Sequence, residues 1–405
     1  MSTAIISGAL ANKPSNGGNT WSRMSWVTGL RRLGFEVCFV EQISRTSSVD
    51  AAGAVTPFES SINLAYFREV MEQFGLAQSS ALIFENGEQV HGLPLAKLAA
   101  LAQQSSLLFN ISGHLTQPDI KNHAKCKVYY DDDPGFTQFW HAASNPGARL
   151  GDHDFYFTIG ENIGAPDCLV PTGDIRWRHT RPPVVFEEWP AMGSSEREVG
   201  NSNFGERETI NKTFDRFTTV ASWRGAFGPV QYDGKTYRLK VHEFRKFIEL
   251  PRRSGRKFEI ALLIHPSDQK DLDALLAHDW QIADPKQVAG SPDDFRRYVQ
   301  TSGAEFSVAQ GIYVDTNSGW FSDRTVRYLA SGKPALVQDT GFSRHIPVGE
   351  GLLTFRTMDE AVDGAERIVR DYERHCRAAR RLAEEYFDSN KVIAALAAEI
   401  GLKLP

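Results

Sequence analysis

GIYVDTNSGWFSDRTVRYLASGKPALVQDTGF, residues 311–342, is the stretch that decides the fold. Ile312, Tyr313 and Val314 favour a strand, whereas Asp315-Thr316-Asn317-Ser318-Gly319 cannot extend one, so the order predicts a short strand closed by a polar loop. A helix is expected from about Ser322-Asp323, whose side chains suit the free N–H groups at a helix start. Gly332 and Pro334 end that helix, and Ala335 to Val337 read as the next strand. Gln338-Asp339-Thr340-Gly341 then opens at that strand's carboxyl end. The pattern is a βαβ unit with two loops on the edge where open α/β sheets bind ligands, and an anion suits its helix start.

Outward from this unit, the chain has 405 residues, which predicts two domains of similar size. Its net charge of −5 offers no general attraction to nucleic acid. Cys38, Cys126, Cys168 and Cys376 are widely spaced and form no CxxC pair, which fits a reducing cytoplasm. The opening MSTAIISGAL reads as a first strand and not as a signal peptide, and no apolar run reaches the roughly 18 residues of a membrane span.

In the first half, Ala4 to Ser7 is an expected strand, followed by a loop that ends in Gly17-Gly18-Asn19-Thr20. A helix through Arg32 and a strand from Glu36 complete a doubly wound opening. Strands are also expected at Ala81 to Phe84, Leu107 to Ile111, Lys127 to Tyr130 and Phe155 to Ile159, and the polar residues after them collect at one edge. Two of those ends carry candidate chemistry. His114 is a candidate general base, or a ligand of a loop carbonyl or substrate hydroxyl. Asp131, in the run Asp131-Asp132-Asp133, is a candidate base or turn former; a lone acidic run of this kind does not imply a metal.

Residues 181–208, rich in Pro, Gly, Ser and charge, read as a linker between a domain over 1–180 and one over 209–385, with 386–405 as a terminal helix that packs back on the first domain. In the second half, Arg224 follows the strand Phe217 to Ala221, and Lys240 starts a helix. Two cations there can clamp a diphosphate or remain solvated surface charges. A single long helix is expected over 360–386. Trp26, Trp140 and the stretch 46–56 are candidates for lining a second substrate, with core packing the alternative for the tryptophans.

Together, the first Gly-Gly loop, the Pro-rich crossover and the segments SGWFSDR, YLASGKP and QDTGF resemble the GT-B fold glycosyltransferases, in particular a bacterial group of the family 1/4-like kind. The resemblance implies two Rossmann-like doubly wound domains facing a central cleft and transfer of a sugar from a nucleoside-diphosphate sugar, of hexosyltransferase type, with no metal and no other cofactor. Gly17, Gly18, Arg224, Lys240, Ser318, Gly319, Asp323 and Arg324 would hold the diphosphate and ribose. Gln338, Asp339, Thr340 and Gly341 would hold the sugar, and His114 and Asp131 would face a small-molecule, glycan or protein acceptor. The chain departs from the family where retaining members place two glutamates: the matching positions are Trp320 and Arg327. It also has Asn19-Thr20 where inverting members often carry a histidine. Two other classes stay open: a nucleotide-sugar epimerase of GT-B-like fold, and a non-catalytic nucleotide-sugar-binding partner protein. A NAD-dependent dehydrogenase is disfavoured, because no GxGxxG follows a strand.

Overall fold

The computed structural model describes residues 2–191 and 214–405. Residues 192–208 of the expected linker therefore lie outside the described residues. Among the described residues the strands form two large sheets and one hairpin. The first sheet contains β1 (Thr3–Ser7), β2 (Glu36–Ile43), β3 (Ser80–Phe84), β4 (Gln89–Gly92), β5 (Leu107–Ile111), β6 (Lys127–Asp131), β7 (Phe155–Thr158) and β8 (Trp177–His179). Its order is β4-β3-β2-β1-β5-β6-β7-β8, parallel except where β4 turns back on β3. Strand β1 lies between β2 and β5, with Ile5 opposite Cys38 on one side and Leu108 on the other. The reversal of strand order there brings the loops after β1 and β5 together.

The second sheet contains β9 (Phe217–Ser222), β12 (Phe258–Leu263), β13 (Trp280–Ala283), β14 (Ala304–Ser307), β15 (Ala335–Gln338) and β16 (Leu352–Phe355), in the order β13-β12-β9-β14-β15-β16. Between β9 and β12, β10 (Val230–Tyr232) and β11 (Lys235–Tyr237) form an antiparallel hairpin. Its Tyr232 and Tyr237 pack on Phe139 of the first sheet's helix Phe136–Ala142, at ring separations of 5.1 and 4.7 Å.

Two expectations are corrected. Residues 312–314 are not a strand: Gly311–Asp315 is a short helix, and the strand of this unit is β14. Ile312 and Tyr313 are buried in an apolar cluster with Phe136 and Phe139 of the first sheet's side, so tertiary packing overrides their strand preference. The long helix expected over 360–386 is two helices, Met358–Arg370 and Tyr372–Tyr386, broken at Asp371 with φ −130°.

The last helix, Ser389–Glu399, places Val392, Ile393 and Leu396 in the core of the first sheet, and Ile393 rests against Gly29. No helix among the described residues is long and apolar enough to cross a membrane.

The two halves meet tightly. The Gly17 N–H donates to the Ala289 carbonyl at 2.9 Å, and Trp21 Nε1 donates to the Pro292 carbonyl at 2.8 Å. Arg327, 1% exposed, crosses from the helix Asp323–Ala330 to the Trp21 carbonyl and the Ser25 hydroxyl, at 3.1 and 2.9 Å. At this position, matched above to a glutamate of the retaining members of the group it resembles, the chain thus has a domain-to-domain contact.

Candidate active site

Between the carboxyl ends of the two sheets lies a cavity of about 290 Å³. The first sheet contributes Lys13 and Gly18 from the loop and helix after β1, Arg23 one turn further along, and Asp132 and Asp133 just beyond β6. The second contributes Ser222, Lys240, Trp320, Asp323 and Arg324.

On the second-sheet side, Arg324 is held by three acceptors. Its Nε donates to Glu305 Oε1 at 2.7 Å, Nη1 to the Val220 carbonyl at 2.8 Å and Nη2 to the Ser307 hydroxyl at 2.6 Å. A guanidinium has five N–H groups, so two remain for a ligand. Lys240 shares the cavity, and its ammonium has no hydrogen bond or ion pair among the described residues. Burial and then the Arg324 charge push its pKa down to about 7, with Glu305 acting the other way. A desolvated cation beside a second cation suits an anion.

On the opposite wall the two aspartates differ in their surroundings. Asp132 accepts from Arg23 Nη2 at 2.9 Å and from the Ser112 hydroxyl at 2.5 Å, so both its oxygens are engaged. Burial acts to raise its pKa, but the Arg23 charge and the Ser112 bond outweigh it and hold the carboxyl below the ordinary range. Asp133 accepts at Oδ1 from the Tyr313 hydroxyl at 3.1 Å, across the domain boundary, and its Oδ2 has no partner among the described residues. Burial, followed by the neighbouring Asp132 charge, raises its pKa above the ordinary range. A carboxylate tuned upward with one free oxygen is suited to taking a proton.

Of the residues singled out in the sequence, Gly18, Lys240, Asp323 and Arg324 come together at this cavity. The others do not. Gly17 is a close-approach point, where a Cβ would sit 2.0 Å from the Ser291 carbonyl oxygen. Arg224 turns away, its Nε 2.7 Å from Asp268 Oδ2 and its side chain 54% exposed. The backbone N–H groups of Ser318 and Gly319 are already bonded, to the Tyr313 carbonyl at 3.2 Å and the Thr340 carbonyl at 2.9 Å. They cannot cradle a phosphate; the loop meets the first domain at Asn162, whose N–H donates to the Ser318 carbonyl.

The second polar loop is internal too. Gln338 bonds the Ala309 N–H and Glu243, and Asp339 accepts from Gly341, Ser343 and Arg356. The Thr340 hydroxyl donates to the Trp320 carbonyl at 2.6 Å, and Gly341, at φ 95°, lies against Asn162 and Asn317. None of these four lines the cavity.

Asp131 is fully buried beneath the site and accepts from Thr137, Gln138 and Thr158 at 2.8, 2.7 and 2.8 Å. It is still within β6, paired with Thr158 of β7, and does not line the cavity, whereas the next two residues, Asp132 and Asp133, do. The end of the strand was the signal that distinguishes them. His114 lies at a neighbouring cavity, where Arg149 Nη1 donates to its Nδ1 at 2.6 Å. Burial, and then the Arg149 charge, push its pKa down to about 3, so the ring is a neutral donor at Nε2 and a poor base. Trp26 is core, packed on Phe109 and Tyr130, and Trp140 packs on Phe136 and Phe227. Lys13 and Arg23 are charged lining residues that sequence reasoning did not select, and within the acidic run 131–133 it chose Asp131 where Asp132 and Asp133 line the cavity.

Solved structures share this architecture over nearly the whole chain. An alpha-glucosyltransferase in complex with UDP and a 13-mer DNA is 12% identical, with a TM-score of 0.58 over 99% of each chain. The Anabaena protein HepE in complex with UDP and glucose is 12% identical, with a TM-score of 0.54 over 98% of this chain and 100% of that one. Sucrose-phosphate synthase from Thermosynechococcus elongatus is 11% identical, with a TM-score of 0.52 over 98% of each. No protein-family model and no curated protein matches the sequence. The chain has the GT-B fold, two Rossmann-like domains around a cleft; at these identities the likeness extends to the fold.

Proposed function

We propose that this protein is a glycosyltransferase, moving a sugar from a nucleoside-diphosphate sugar to an acceptor hydroxyl in the interdomain cavity. The observation that carries the reading is the unpaired Lys240 ammonium beside Arg324, facing Asp133 across the cavity. Two of the structural neighbours hold UDP, one of them with glucose as well, which supports the same ligand class here.

In the reaction the acceptor oxygen bonds to the anomeric carbon as the bond from that carbon to the diphosphate oxygen breaks. The acceptor proton passes to Asp133 Oδ2, and negative charge grows on the departing diphosphate. Lys240 and the two free N–H groups of Arg324 take that charge, which is the largest stabilising effect such a site can offer and gives the diphosphate cationic partners without a metal. Asp132, locked by Arg23 and Ser112, stays ionised and keeps the Asp133 pKa raised. At about 290 Å³ the cavity is near the lower end of the usual ligand range of roughly 300–1,000 Å³, so the domains must part to admit the donor.

Calorimetric titration with UDP tests the reading. UDP binds the wild-type chain and binds Lys240→Met at least about tenfold more weakly, a loss of about 1.4 kcal/mol. Absence of binding to UDP and to the other nucleoside diphosphates overturns it.

A further inference from the structure

Next to the reaction cavity is a second one of about 190 Å³, formed by the ends of β2, β3 and β5. The two are neighbours along the chain: Asn12 lines the second and Lys13 the first, while His114 lies two residues beyond Ser112, which holds Asp132. We propose that this second cavity binds the hydroxyl groups of a saccharide, and that the acceptor is therefore a sugar or glycan; the acceptor role rests on the transferase reading.

The argument comes from which polar groups are already used. Gln42 serves mostly as framework, its Oε1 accepting from the Thr116 N–H, the Thr116 hydroxyl and the Gln117 N–H, and one Nε2–H donating to the Glu85 carbonyl. Ser44 and Ser47 bond to each other at 2.9 Å. Beneath them the fully buried Glu41 carboxylate accepts the N–H groups of Leu10, Ala11 and Asn12 and fixes the loop that carries Asn12.

What remains faces the cavity. The side-chain amides of Asn12 and Asn86 have no partner among the described residues. Glu85 uses Oε1 on the Arg45 N–H, and its Oε2 has no partner among the described residues. His114 keeps its Nε2–H, and Arg149 keeps the N–H groups it does not give to His114. Glu85 and Arg149 also hold φ of 54° and 50°, a left-handed backbone unusual for residues with side chains, which turns both toward this edge.

The set therefore contains two amides that both donate and accept, one acceptor carboxylate and two donors, with charges that cancel. A hydroxyl, itself donor and acceptor, matches such a mixture. A phosphate or carboxylate ligand would meet the Glu85 charge beside that of Arg149, and an aromatic or lipid ligand would find Ile43 as the apolar lining residue and no phenyl, phenol or indole ring among the lining residues. The volume suits a single sugar ring, leaving the rest of a longer glycan outside.

Saturation-transfer NMR on the full chain, with glucose, methyl glucosides, maltose and sucrose as probes and without nucleotide, tests this directly. At least one saccharide is expected to bind the wild type, with affinity reduced tenfold or more in Asn12→Ala/Asn86→Ala, while UDP affinity of the variant stays within twofold. Unchanged saccharide binding in the variant, or no binding of any of these saccharides to the wild type, overturns the proposal. A circular-dichroism melting curve matching the wild type shows that the variant is folded; if it is not, the single Asn86→Ala variant, altered in a loop side chain without bonds, replaces it. Because the probes are offered without nucleotide, a failure of UDP binding registers separately, against the transferase reading.

Discussion

Replacing Lys240 by methionine removes an unpaired cation of the cavity, and the pH dependence of ligand binding reports its role more sharply than affinity at one pH. In the unliganded protein its pKa is pushed down to about 7, from an ordinary value of 10.5, by burial and by Arg324. Between those values the unfolded chain carries a proton that the folded chain lacks, so this residue makes stability rise with pH across the window. Its charge is thus a burden on the empty protein below about pH 7, and Lys240→Met is expected to melt at a higher temperature there. A bound diphosphate reverses the balance, because an anion in contact restores the ammonium and raises its pKa. Binding at alkaline pH must then take up a proton. The unliganded ammonium is about half protonated at about pH 7 and about one part in a hundred at about pH 9, so UDP affinity should fall roughly 50-fold across that interval. Glu41 and Asp131 also titrate near 7, but both are bonded inward and line neither cavity. Calorimetry in two buffers of different ionisation enthalpy counts the proton, and Lys240→Met should lose both the uptake and the slope. A flat affinity between about pH 7 and 9, or the same slope in the variant, refutes the assignment.

Three further outcomes follow from the same geometry. Asp133→Asn should lower kcat by roughly 10²–10⁴ while leaving UDP binding within a few-fold, since the side chain handles a proton and not the diphosphate; steady-state kinetics with parallel calorimetry separates the two. Asp131→Ala should act on stability, because it leaves Thr137, Gln138 and Thr158 without their shared acceptor, at a cost of about 3 kcal/mol measurable by urea unfolding. Gly17→Ala places a methyl 2.0 Å from the Ser291 carbonyl oxygen and should force the domains apart, raising the radius of gyration in solution scattering. Gly18→Ala meets the Phe295 ring at 3.0 Å and should do so far less.

Strand-to-helix alternation and the turn residues made most of the fold legible, because β1, β2, β5, β6, β9, β12 and β15 are apolar runs bounded by polar loops. The segment 311–315 misled because Ile312 and Tyr313 take their conformation from the other domain's Phe136 and Phe139, a contact no local window contains. The site was legible where it depends on position along a strand or helix start, as for Lys240, Asp323 and Arg324. It was obscured where loops that look ligand-facing are used as framework: the Ser318 and Gly341 carbonyls accept from Asn162 of the first domain, and Gln338, Asp339 and Thr340 spend their side chains within the second, on Ala309, Glu243, Gly341, Ser343, Arg356 and Trp320. Asp131 and Asp132 are adjacent and alike in sequence, and only the register of β6 against β7 shows which one is inside.

The central claim is the transfer itself. Incubating the full chain with UDP-, GDP-, ADP- and dTDP-glucose, each with and without the saccharide panel, and analysing products by mass spectrometry tests it most directly. The expected result is free nucleoside diphosphate together with a saccharide heavier by one hexosyl unit, formed with wild type and reduced roughly 10²-fold or more in Asp133→Asn. An isomerised nucleotide sugar formed without acceptor, or no conversion of any donor, would contradict it.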